Sequence, residues 1–372
     1  MNKNVILHLS LISGIGPATI KIIVENSISS DLVKIYKFSI SDLVGIGLSF
    51  DRATKIVEGL KDRSLLDKEL QLLEKHQISW CTLGSPEYSQ LLSNIEQPPA
   101  VIYYQGANLF ASDKAIAFVG SRKADAYARV VVEKLVPTLV AQDWVIVSGG
   151  AAGVDSFVHD STVRSGGKTI VVLGSGLLHW YPHSNTKLFN QVIHAGGMIV
   201  SCFPLQTQPI PSNFPARNRI IAGLSQGTVV VQAAAKSGAL ITADFALEQG
   251  RQVFAVPGSI EHGLHDGCHN LIQQGAKLVT NVQDIIIEFG YGTGEKKILN
   301  DIQENIFTQE KLLAEPTDQA DRAILDRLLV SRSTEDLLLQ LDLSLEDLME
   351  KLFDLSLQGK ISQDIMGLWK RI

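Results

Sequence analysis

The sequence predicts an α/β protein built on a Rossmann-like, doubly wound, mostly parallel sheet spanning residues 80–290. A helical segment of helix-hairpin-helix/SAM-like character (1–75) precedes it, and a linker (291–318) and a winged-helix-like unit (319–372) follow. Three observations carry this. Short, continuously apolar runs alternate with amphipathic stretches through the middle of the chain, as parallel strands covered on both faces do. Glycine turns close several of those runs and open the stretch that follows. The tail reads as helices followed by a hairpin.

In the front segment two pieces recur, Ile12-Ser13-Gly14-Ile15-Gly16 and Leu43-Val44-Gly45-Ile46-Gly47, each lying between helical patterns. Glycine lets the chain reverse there, and the next helix opens with N–H groups that suit a phosphate. Few basic residues flank either turn, so turns within a plain helical bundle are the preferred reading.

Central strands are expected at 115–119, 144–148, 169–173, 198–201, 228–231 and 253–256. Right-handed βαβ crossovers join such strands, and ligands bind outside their carboxyl ends. Gly120, Gly149, Gly174 and Ser201 stand at those ends. In the tail, two short helices lead to a third at 344–358 that Gly359 stops, and 360–363 with 367–370 form a hairpin. The third helix carries Glu346, Asp347, Glu350 and Asp354 against Lys351 alone. Phosphate repels such a helix, which points to a structural role or to contact with protein.

The 372 residues are 45% hydrophobic and 19% charged, ordinary for a globular protein. A formal net charge of -6 excludes a globally basic, DNA-coating surface, so any nucleic acid must be held at a local basic site. Three widely spaced cysteines (Cys81, Cys202, Cys268) fit a reduced, cytoplasmic protein. No apolar run approaches the roughly 18 residues that span a membrane, and residues 1–10 lack a signal-peptide pattern.

Gly120-Ser121-Arg122 is a strand end, a turn and a cation at a helix start, where a cation is unfavourable unless an anion offsets it. Ser148-Gly149-Gly150-Ala151-Ala152-Gly153 is a second glycine turn. Phe214-Pro215-Ala216-Arg217-Asn218-Arg219 adds fixed positive charge suited to phosphate. Ser237-Gly238-Ala239-Leu240-Ile241-Thr242 opens another helix with two hydroxyls, compatible with an anion or with simple capping of the helix by Ser237. Several phosphates could be held at once with no obvious nucleophile beside them, which favours a polynucleotide backbone over a single nucleotide. Trp180 and Tyr181 could stack bases or pack in the core. Asp155 and His159, four apart, read as a capped turn with a supporting histidine rather than a catalytic pair. Residues 261–269 offer zinc-type ligands without a zinc spacing. No catalytic residue, metal or cofactor is expected.

Residues 115–280 resemble the DNA-processing protein A family (DprA/Smf). The resemblance rests on Val119-Gly120-Ser121-Arg122, on Ser148-Gly149 through Gly153-Val154-Asp155 with His159, and on Tyr181-Pro182 with Asn185. It continues through the run from Phe214 to Leu224, Ser237–Thr242, Val256-Pro257-Gly258 and Gly275-Ala276. It implies a non-catalytic protein that binds single-stranded DNA during natural transformation, protects incoming strands, helps load RecA recombinase and acts as a homodimer. The DNA site is then expected at Gly120, Ser121, Arg122, Ser148, Gly149, Gly153, Phe214, Arg217, Asn218, Arg219, Ser237, Gly238 and Thr242. The family usually has Glu where Cys202 and Gln232 stand, and often a basic residue at Ala152; the first two departures would relieve repulsion of DNA. A dimer interface is expected near 253–271, as a sheet edge. The competing expectation is a nucleotide-processing enzyme of the lysine-decarboxylase-like group. Its Pro-Gly-Gly-x-Gly-Thr turn would correspond to 235–242, with Asp244 and Glu248 following.

Overall fold

The computed structural model describes residues 3–26, 32–290, 319–328, 330–341, 343–357, 360–363 and 368–371. The chain forms two compact units, Met1–Gly290 and Tyr291–Ile372. In the first, helices α1 (Lys3–Leu11), α2 (Pro17–Asn26), α3 (Ile40–Gly45), α4 (Phe50–Gly59) and α5 (Ser64–Lys75) make the front segment. The two recurring glycine turns join α1 to α2 and α3 to α4. Gly14 (φ 81°) and Gly47 (φ 96°) take left-handed conformations that L side chains avoid. These helices share one hydrophobic cluster with the sheet layer: Ile6, Leu43 and Ile56 belong with Tyr103, Phe189 and Ile199. Glu69 of α5 ties the two together by accepting a hydrogen bond from the Leu205 N–H at 2.8 Å.

Strands β1 (Ser79–Thr82) and β2 (Val101–Gly106), with the short helix α6 (Gln90–Ser93) between them, lead into the sheet. The expected strands follow as β3 (Ala115–Gly120), β4 (Val145–Gly149), β5 (Thr169–Val172), β6 (Met198–Ser201), β7 (Gly227–Gln232) and β8 (Gln252–Ala255), with β9 (Lys277–Leu278) last. Crossovers run through α7 (Ala126–Val140), α8 (Val154–Arg164), α9 (Thr186–His194), α10 (Asn213–Gly223), α11 (Gly238–Glu248) and α12 (Asp266–Gln273). The order is β1-β2-β6-β5-β4-β3-β7-β8-β9. Strands β6 through β9 in that order are parallel, whereas β2 joins β6 antiparallel and β1 joins β2 antiparallel. From β3 the chain steps outward through β4, β5 and β6, then returns beside β3 and steps the other way. The switch point between β3 and β7 opens a crevice at the carboxyl ends of the strands.

Three strands escape the sequence pattern. β1 and β2 precede the alternation and have one half-exposed end each, and β9 is only two residues long. β9 corrects the expected sheet edge at 253–256, because β8 pairs with both β7 and β9 and is interior.

The second unit has helices Gln319–Arg327, Thr334–Gln340 and Leu345–Leu357, then an antiparallel pair, Ile361–Gln363 with Trp369–Arg371. Ile324, Leu328, Leu337, Leu348, Leu352 and Trp369 are among its core residues. The expected linker 291–318, the helix stop at Gly359 and the hairpin's Gly367 lie outside the described residues.

Candidate functional site

The two glycine turns lock onto each other. Gly153 opens α8 with φ 81°, and a Cβ there would overlap the Ser121 carbonyl oxygen. That oxygen accepts from the Val154 N–H at 3.1 Å, while the Ser121 N–H donates to the Gln232 carbonyl at 2.8 Å. Gly120 allows the approach, since a Cβ would sit 2.5 Å from Val154 Cγ2. The Ser121 and Val154 amides are therefore engaged with backbone carbonyls, and the first amide of α8 is taken up within the protein. Asn185 secures the β4–α8 turn, donating to the Gly150 carbonyl (2.9 Å), the Ala151 carbonyl (3.2 Å) and Ser156 Oγ (2.9 Å).

Above this turn a cleft of about 100 Å³ is lined by Arg122, Ala151, Gly174, Tyr181, Phe214 and Arg217, among others. Phe214 is one of its walls. The exposed Arg122 guanidinium lies 5.2 Å from its ring centroid, Arg217 lies 5.9 Å away, and the half-exposed Tyr181 ring is 6.0 Å away. Gly174 admits the ring, because a Cβ there would come 2.9 Å from Phe214 Cδ1. An aromatic face with a cation beside it is the chemistry that stacking on a base and pairing with a phosphate require.

The predicted arginines part company. Arg217 is 5% exposed, and its Nη1 donates to the Val172 carbonyl at 2.8 Å. Gly149 stands between it and Asp155: a Cβ there would overlap Arg217 Nη1 and lie 2.5 Å from Asp155 Oδ2. Burial pushes the Asp155 carboxyl above its usual range, with the Arg217 guanidinium opposing that shift. Asp155 also accepts from the Ala151 N–H at 3.2 Å, so it caps the turn as expected. Arg219 follows Arg217 by two residues and so points to a different side of α10. Its Nη1 donates to Gln97 Oε1 at 3.2 Å, and it does not line the cleft.

Other expected positions serve the scaffold. Ser148 is fully buried and donates to the Phe118 carbonyl at 2.6 Å. Ser237 caps α11 by accepting from the Ala239 N–H, Thr242 is buried, and Asn218 donates to the Gly238 carbonyl at 3.3 Å. His159 is fully buried, with Nε2 2.7 Å from the Gly149 carbonyl and Nδ1 2.8 Å from Thr169 Oγ1. Burial lowers its pKa to about 4. A neutral ring must then donate from Nε2 to the carbonyl, tying α8 to the end of β4. Gln232 is buried too, accepting from the Asp125 N–H and lying 3.1 Å from His265 Nε2. Gln232 does not line the cleft, whereas Ala152 does, without a charge. Asp244 and Glu248, which the enzyme alternative calls on, are exposed on α11 and do not line the cleft. Among the described residues no group of three His, Cys, Asp or Glu side chains is placed to hold a metal, and no helix is long and apolar enough to cross a membrane.

Gly174, expected at a strand end, and Tyr181, expected either to stack bases or to pack in the core, both line the cleft. The sequence signal for both was present, as a glycine at a strand end and an aromatic in the loop after it.

Residues 79–290 match the family model described as DNA recombination-mediator protein A. DNA processing protein DprA of Streptococcus pneumoniae is 45% identical over 200 residues, covering 54% of this chain and 70% of that protein. Protein Smf of a Synechocystis species is 35% identical over 292 residues, covering 76% and 72%. Among solved structures, the S. pneumoniae protein superposes with a TM-score of 0.67 at 36% identity, covering 77% of this chain and 97% of that one. The Helicobacter pylori DNA processing protein A, described for its single-stranded DNA binding mode, gives 0.51 at 29% identity over 57% and 95%.

Proposed function

The chain belongs to the DNA recombination-mediator protein A family, and from that premise we propose that it binds single-stranded DNA in natural transformation without catalysing a reaction on it. The observation that carries this is the exposed Arg122 guanidinium set 5.2 Å from the Phe214 ring, in a cleft at the strand ends. Arg122 takes a backbone phosphate, and Phe214 and Tyr181 stack successive bases. Arg217, held by the Val172 carbonyl and lying near Asp155, backs the ring and contributes positive potential from behind it. Arg219 and Asn218 shape the α10 face, and the scaffold roles of Ser148, Ser237 and Thr242 hold the strand ends in place. Duplex DNA binds less well because its bases are already stacked on one another.

The named functions of the relatives support this reading. By the same family relation, the bound strand is protected and passed to RecA recombinase, in the cytoplasm, by a homodimer. The interface is assigned to the open β9 edge, where Leu278 is exposed.

Fluorescence anisotropy of labelled poly-dT tests the central claim. Salt-sensitive binding by the wild type that drops at least tenfold in Arg122→Ala supports it. No binding by the wild type, or tighter binding of duplex, rejects it. Release of free base from a nucleoside monophosphate would install the enzyme reading in its place.

A further inference from the structure

The helix Leu345–Leu357 of the second unit has three rows along its length. At 100° per residue, Leu348, Leu352 and Leu355 share one sector, and all three are buried in the unit's core. The adjoining sector holds Leu345, Met349 and Phe353, spaced four apart and 57%, 46% and 63% exposed. The next sector holds Glu346, Glu350 and Asp354 at the same spacing, with Asp347 beyond them, all exposed. An exposed row of large apolar side chains about 12 Å long therefore lies between the unit's core and a row of carboxylates. Lys351, the helix's one basic residue, bonds Asp321 at 3.2 Å and lies outside the acidic row.

A single exposed leucine is ordinary, but three large apolar residues in register on one helix are a contact surface. The charge pattern chooses the occupant. A nucleic acid would set its phosphates against the carboxylate row, and repulsion disfavours that. A second copy of the same face would bring carboxylates against carboxylates, a juxtaposition that suppresses association. The complementary surface has the inverse pattern: apolar anchors at i, i+4 and i+7 or i+8, flanked by Lys or Arg. We infer that this helix docks a basic, amphipathic helical segment of another protein. The partner's apolar side chains cover Leu345, Met349 and Phe353, and its cations meet Glu346, Glu350 and Asp354. The surface lies apart in sequence from the single-stranded DNA cleft and uses none of its residues.

The test uses the full-length chain and two labelled synthetic peptides of about 18 residues. Both carry leucine on one helical face; one has lysine and the other glutamate on the opposite face. The Leu/Lys peptide should bind, lose at least tenfold in affinity to Met349→Ala/Phe353→Ala, and weaken with added salt. The Leu/Glu peptide should not bind the wild type. Glu346→Lys/Glu350→Lys should reverse that preference, which a merely sticky apolar face would not do. Circular dichroism checks that the variants fold, and unchanged poly-dT affinity in them keeps this result independent of the DNA reading. The idea fails if the wild type ignores the Leu/Lys peptide, or binds it equally well in the Met349/Phe353 variant. It also fails if sedimentation shows wild-type self-association that Phe353→Ala abolishes, which would make a second copy the occupant. A tenfold loss of poly-dT binding in Phe353→Ala would assign the face to DNA instead.

Discussion

At the residue scale, Arg122 and Phe214 should separate in a salt titration. Arg122 acts through charge, so Arg122→Ala should reduce the slope of log affinity against log salt by about 0.7, the value for one phosphate on a single strand. Phe214 acts through its ring. Phe214→Ala should cost about 1–3 kcal/mol, roughly fivefold to 140-fold, with that slope unchanged. Anisotropy at several salt concentrations reads both. His159 yields a pH prediction. Its folded pKa of about 4 lies below the ordinary 6.5, so the unfolded chain takes up a proton that the folded chain refuses. Stability on this account is intact above about pH 6.5 and falls as the pH drops towards the folded value, by about 2 kcal/mol between pH 7 and pH 5. Urea unfolding at both pH values should show this loss in the wild type and not in His159→Gln; an equal loss in both would remove His159 as its source.

At the scale of elements, the site depends on the meeting of two strand-to-helix turns. Gly153 has a left-handed backbone and no room for a side chain against Ser121. Gly153→Ala should cost about 1–2 kcal/mol for the backbone alone, more with the clash, and should lower DNA affinity by moving the Arg122 turn. Thermal unfolding followed by anisotropy on the folded fraction distinguishes the two effects. The elements themselves were well marked in the sequence. Six strands fall within about a residue of their expected bounds because each is apolar on both faces, the pattern that buried parallel strands impose. β1, β2 and β9 lacked that mark, being antiparallel, partly exposed or very short.

At the scale of the whole molecule, the front helices and the sheet share one cluster and the Glu69–Leu205 bond. A chain beginning at residue 78 would expose that apolar surface, and it should be markedly less soluble than the full chain. A chain ending at Gly290 keeps every cleft residue and should bind poly-dT as the full chain does; a tenfold weaker affinity would show that the second unit contributes to the site. Sedimentation at micromolar concentration should show a dimer, weakened by Leu278→Glu at the β9 edge.

The sequence by itself determined the strand-and-glycine-turn architecture and the family, and it offered a candidate set of residues of which Arg122, Phe214 and Arg217 line the cleft. Those depend on local composition and spacing, which the chain displays directly. Only the tertiary structure decided how that set is divided. Arg122 and Arg217 both flank Phe214, but one is exposed and the other buried beside Asp155. Arg219, two residues further along the same helix, turns to Gln97. Ser148 and Thr242 carry the same hydroxyls as candidate ligand groups yet face inward. Which way a side chain points follows from the register of its strand or helix against its neighbours, and that is a property of packing that no motif records.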